Sequence, residues 1–186
     1  IWRIVSKKRS ETAMRSSEAR FRRLFDVTPV PLGLVKLSGE MVALNRGFEE
    51  TFGYTIADLP TLTNWLQLAY PDPDYRQSAL EAWNAAVDIA NSKGRAVEPM
   101  EIQVTCKNGS VRSILVSGIQ TEDEFLATFL DITERRKYEL ALIESESMFR
   151  SLSDAAQDAI IMIDARGDIV HWNPAATRIF GHARED

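Results

Sequence analysis

Cysteine is almost absent from this chain. Cys106 stands alone, which excludes an internal disulfide and a cysteine-based zinc cluster. That usage fits a reducing compartment. Histidine is nearly as scarce: His171 and His182 both lie near the C-terminal end, and residues 17–133 have none. There is no metal-binding histidine pair, no Ser-His-Asp set and no Gly-rich phosphate loop, so the usual hydrolase and nucleotide-binding signatures are missing. No apolar run reaches the roughly 18 residues that a membrane-spanning helix needs. What remains is an ordinary globular balance, 45% hydrophobic and 26% charged. Its 186 residues are enough for one full domain and part of another.

Charge is unevenly placed. The net charge is −5, yet residues 1–25 carry eight Lys/Arg against two Glu, which leaves −11 on the remainder. A basic arm suits an anionic membrane face or nucleic acid, and equally a solvated linker helix. The order Ile1-Trp2-Arg3-Ile4-Val5 and then Lys7-Lys8-Arg9 reads as the cytoplasmic flank of a membrane span. The expectation is a cytoplasmic chain tethered by a span upstream of Ile1, without a nucleic-acid partner.

Punctuation divides the chain into elements. Ser6 to Asp26 lacks Gly and Pro and predicts a helix, with Met14, Phe21 and Leu24 as a heptad-like seam. Val30 to Leu37 and Glu40 to Asn45 predict a hairpin about Ser38-Gly39. Arg46 to Phe52 predicts a short helix closed by Gly53. Residues 55–75 read as irregular, because Pro60, Pro71 and Pro73 block a long helix. Tyr75 to Asn91 predicts the long helix, with Leu80, Trp83 and Val87 on one face.

Three strands follow. Met100, Ile102, Val104 and Cys106 alternate with polar residues, Asn108-Gly109 turns the chain, Val111 to Gln120 returns, and Phe125 to Asp131 completes the set. Ile114 and Val116 face one side, Leu115 and Ile119 the other, so both sheet faces need cover. Helices of the domain can cover one; the N-terminal helix or a partner subunit is expected on the other. The last strand runs into charged helical sequence without a Gly or Pro. Asp131 stands at an N-cap position, with Glu134 at capping-box spacing.

Shifting the sequence by 128 positions aligns residues 17–58 with 145–186 at 12 identities in 42, among them Phe21/Phe149, Asn45/Asn173 and Gly53/Gly181. A period this long predicts tandem domains. The second copy stops three strands short and cannot close its own core, so it is expected to be poorly ordered or to lean on the first. Glu134 to Ser153 between them predicts a helix with a matching seam at Tyr138, Leu142, Phe149 and Leu152.

Four stretches carry a family resemblance. Phe129-Leu130-Asp131-Ile132-Thr133-Glu134-Arg135-Arg136 resembles the ending of PAS sensor domains, where the last strand becomes a signalling helix. Leu44-Asn45-Arg46-Gly47-Phe48 with Phe52-Gly53-Tyr54, Tyr70-Pro71-Asp72-Pro73 and Cys106-Lys107-Asn108-Gly109-Ser110 fall in the same order. The resemblance implies an α+β fold with a five-stranded antiparallel sheet, helices on one face, and linker helices before and after it. The expected division is a basic juxtamembrane or linker helix over 1–16, a PAS domain over 17–133, a signalling helix over 134–153 and a truncated second PAS domain over 154–186.

The resemblance also implies a small cavity between sheet and helices. Its expected wall is Leu34, Trp65, Met100, Ile102, Val104, Ile114 and Val116, with Asn45 as a polar group; plain core packing is the alternative for the apolar members, and capping of the Arg46 helix for Asn45. Trp65, expected on a loop, could stack on a flavin ring. Haem is not expected, since the long helix offers no histidine, nor is covalent flavin photochemistry, since Asn64-Trp65-Leu66-Gln67-Leu68 lacks the reactive cysteine. Asp131, Thr133 and Glu134 are the expected transmission residues. The overall expectation is a non-catalytic sensory input module of a bacterial signalling protein, a histidine kinase ahead of a diguanylate cyclase, dimeric through linker helices and the outer sheet face. A ligand-free dimerising spacer is the second reading, and a flavin redox enzyme the third.

Overall fold

A computed structural model describes residues 16–182. They fall into two compact units, the first ending at Thr133 and the second beginning at Glu134. The basic stretch before residue 16, Met14 included, and residues 183–186 lie outside the described part.

The first unit opens with helix α1, seen over 16–27. Strands β1 (Leu32–Lys36) and β2 (Met41–Leu44) then form a hairpin. Gly39 turns it at a φ of 89°, where a side chain would be strained. Helices α2 (Arg46–Phe52), α3 (Leu62–Ala69) and α4 (Pro73–Ser92) follow, then strands β3 (Val97–Thr105), β4 (Val111–Gln120) and β5 (Glu124–Asp131). The five strands make one sheet in the order β2-β1-β5-β4-β3, with every neighbouring pair antiparallel. The last strand thus lies between the first and the fourth, so the chain end that leaves the unit springs from the middle of the sheet.

Local chemistry accounts for each boundary. Residues 62–69 are helical where an irregular run was expected, because Thr61 accepts from the Asn64 amide and Trp65 and Ala69 gain burial. Helix α4 starts two residues before Tyr75. Asp72 caps it through the Asp74 and Tyr75 amides, and Pro73 sits at its first position, where no amide is needed. β3 begins at Val97 rather than Met100, with a bulge around Pro99, a residue that cannot donate to the ladder.

One sheet face carries the core. Phe48, Phe52, Trp65 and Phe129 meet with ring centroids 4.8–5.7 Å apart, mostly edge to face. Ile102, Val104, Ile114 and Val116 close beneath them, and Val35, Phe125, Ala90 and Val97 form a second cluster under α4. The other face keeps Leu34, Leu115 and Leu126 half-buried, with Ile119 and Leu130 exposed. On the described part of α1, Phe21, Leu24 and Val27 are exposed while Phe25 is buried.

The second unit contains most of helix α5 (Thr133–Ala155), the hairpin β6 (Ile161–Ile163) and β7 (Ile169–Trp172), and helix α6 (Pro174–Phe180). Along α5 the seam residues Tyr138, Leu142 and Leu152 are exposed; Phe149 lies edge-on to His171 at 5.0 Å.

Candidate functional site

The inner face of the five-stranded sheet is hollow under α4. Strand register explains why. Gly33, Ala127 and Gly118 stand side by side on β1, β5 and β4; the Phe125 ring fills the Gly118 end, and the level stays open over Gly33 and Ala127. Above them α4 offers Leu80, Trp83, Asn84 and Val87, spaced as one helical face. The result is a cavity of about 260 Å3, floored by Gly33 and Ala127 and walled by Trp65, Trp83, Phe125, Phe129, Met41 and Met100 among others. Gly118 is already spoken for: the Phe125 ring packs so tightly against it that an added Cβ would come within 2.4 Å of the ring.

Of the residues expected in such a wall, Trp65, Met100, Ile102 and Val116 line the cavity. Leu34 alternates out of it, on the opposite sheet face from Gly33 and Val35. Val104 and Ile114 are fully buried deeper in the aromatic core. Trp65 is borne on α3 rather than on a loop and meets the Tyr70 ring edge to face at 6.3 Å; burial pushes the Tyr70 pKa up. Gly33, Ala127, Trp83, Phe125 and Phe129 were not read from the sequence as wall residues. The signal available for the strand residues was alternation along β1 and β5 combined with the register between them, and for Trp83 the helical face it shares with Leu80 and Val87.

Asn45 is a cap and a clasp instead. Fully buried, its Oδ1 accepts from the amides of Leu32 and Phe48 at 2.8 and 2.9 Å. Its Nδ2 faces the carbonyls of Phe25, Thr28 and Val30 at 2.9–3.1 Å. One amide thereby ties the end of α1 to β1 and α2. Asn173 in the second unit makes the corresponding bonds, with Ile160 and Ala176 donating and the carbonyls of Ser153 and Asp158 accepting.

Where β5 passes into α5, Asp131 holds both sides of the turn. Its Oδ1 accepts from the Thr133 amide at 2.9 Å and the Thr133 hydroxyl at 2.6 Å; its Oδ2 takes the Arg112 guanidinium of β4. Burial raises the Asp131 pKa, but the Thr133 and Arg112 hydrogen bonds prevail and hold it below the usual value. The Thr133 hydroxyl in turn accepts from the Ser113 amide. Glu134 does not close a capping box; it accepts from Lys137 one turn on. A single residue, Ile132, separates strand from helix, and its amide is bonded to the Ser113 carbonyl.

The family description PAS domain matches residues 19–86, and the description PAS fold matches residues 147–186. The first unit is a PAS domain. Among curated proteins the chain is similar to sporulation kinase E of Bacillus subtilis (strain 168), 24% identical over 189 residues. That match takes in 100% of this chain and 24% of the kinase, so the chain spans about a quarter of its relative's length. Among solved structures, an RNA-binding light-oxygen-voltage receptor matches with a TM-score of 0.52 at 20% identity, over 72% of this chain and 38% of the receptor. A sensory box histidine kinase/response regulator from Burkholderia thailandensis E264 matches with a TM-score of 0.50 at 22% identity, over 71% and 98% of the respective chains. At such identities the two structures speak for the PAS fold. Among the described residues no cluster of His, Cys, Asp or Glu could hold a metal ion, and no helix is long and apolar enough to cross a membrane.

Proposed function

We propose that this chain is the sensory input region of a signal-transduction histidine kinase, held in the cytoplasm and tethered by a membrane span before Ile1. A small molecule in the PAS cavity shifts the inner sheet face, and β5 hands the shift to α5 through Asp131, Ile132 and Thr133. The chain itself performs no catalysis. A second PAS copy begins after α5, a reading supported by the matching amide bonds of Asn45 and Asn173. The observation that carries the transmission route is the one-residue junction at Ile132, locked from β4 by Arg112 and Ser113. An effector acts on such an element only through different affinities for its two states.

The test is Asp131→Ala in the full-length protein. Asp131 stands one residue before the N-cap position expected of it, and its loss removes the Thr133 and Arg112 partners together, at a cost of about 1 kcal/mol or more, a bias sufficient to shift a two-state linker severalfold. Autophosphorylation should change while the PAS fold persists by circular dichroism. Unchanged output with an unchanged fold would reduce the turn to a structural cap. Cyclic-dinucleotide synthesis in place of phosphotransfer would assign the output to a diguanylate cyclase.

A second reading is a dimerising spacer. It is favoured by the apolar outer sheet face, where Ile119 and Leu130 are exposed, and by the exposed seam along α5.

A further inference from the structure

We propose that the cavity under α4 selects a small, uncharged, largely apolar molecule of about two fused rings, the size set by scaling from a benzene-filled cavity of about 150 Å3. This rests on the sensory reading above and narrows it to a ligand class.

Size comes first. At about 260 Å3 the space holds roughly ten non-hydrogen atoms, whereas a flavin or a haem needs several times as many. Wall chemistry comes second. Its surface joins indole and phenyl rings and two thioethers to Leu, Val and Ile side chains and the bare backbone of Gly33, an apolar setting in which a flat ring can pack against faces and edges. Charge comes third. The charged side chain among the lining residues is Lys36, and its ammonium is committed to Glu40 at 2.6 Å. An anionic ligand would therefore enter apolar surroundings without a free counter-charge. Uncharged polar capacity is sparse: exposed Asn84, exposed Gln120, whose Oε1 accepts from Asn91, the Tyr70 hydroxyl and the indole N–H groups of the wall. These can serve one hydroxyl, amine or ring N–H on a molecule whose body lies inside. Met41 and Met100, the flexible members of the wall, allow several ring shapes.

Calorimetric titration of the 186-residue chain with indole, indole-3-acetate and riboflavin tests this. Indole is expected to bind in the micromolar range and the carboxylated analogue about tenfold or more weakly, for want of a counter-charge. Ala127→Phe, which raises the floor, should abolish indole binding while leaving or raising the melting temperature. Should that variant fail to fold, Gly33→Ala serves, because its new methyl would stand 3.5 Å from Leu44 Cδ2, in ordinary contact. It should weaken indole binding severalfold. Riboflavin binding as tight as indole, flavin retained through purification, no binding of indole, or indole binding indifferent to both substitutions would each overturn the assignment. Loss of the ligand class with Asp131→Ala still altering output leaves the sensory reading standing; an unaltered output removes the Asp131 transmission route regardless of what binds.

Discussion

The carboxyl of Asp58 has a pKa of about 2, depressed first by the Lys107 ammonium at 2.8 Å and then by the Thr55 amide and hydroxyl. Asp131 is depressed as well, its bonds from Thr133 and Arg112 outweighing burial. A carboxyl held lower in the folded chain than in the unfolded chain contributes stability above the unfolded value. That contribution is lost as pH falls through the folded one. Urea midpoints should therefore decline between about pH 4 and about pH 2. Lys107→Gln should flatten part of that decline, and a midpoint as steep as before would mean that the pair is cosmetic. Only half of this was legible in the sequence. Asp131 stands out by its motif, but its partner Arg112 lies 19 residues away, and only the register that sets β4 against β5 brings them together.

Elements were legible wherever a residue type dictates backbone geometry. Gly39, Gly53 and Gly109 mark turns and caps at positive φ, and Met100 to Cys106 alternates as a half-buried strand must. α3 was hidden because proline was weighed as a breaker, whereas Pro60 precedes the helix and leaves eight residues free behind a Thr cap. The cavity was hidden for another reason: its floor is an absence, read only once β1 and β5 are laid side by side. Two glycines on that level behave differently. Gly118→Ala drives a methyl to 2.6 Å from the Leu126 carbonyl oxygen as well as into Phe125, and should cost about 1–3 kcal/mol by thermal or urea melts. Gly33→Ala meets nothing closer than 3.5 Å and should be neutral or mildly stabilising, since a strand interior prefers a side chain. Equal costs at the two positions would contradict the packing described.

For the molecule as a whole, the five-stranded sheet was legible down to strand number. The burial of its outer face was not. Both faces read as apolar, and cover for the outer one was assigned to α1 or to a partner. The described part of α1 leaves Leu130 and Ile119 in solvent. If a second copy supplies the cover, Leu126→Glu, placed between Leu34 on β1 and Ile119 on β4, should turn a dimer into a monomer in sedimentation without loss of the sheet. A dimer indifferent to that charge would assign association to the α5 seam.

The open level across β1 and β5 has a consequence for how such a chain changes over generations. Its hollow is maintained by what Gly33 and Ala127 do not have, so a large side chain at either position would take up much of the chamber. The hairpins, caps and strand-to-helix turn would stand as before. A receptor could thus fall silent and gain stability in the same step, and an inert scaffold could acquire a chamber by the reverse exchange, at the expense of a little cohesion.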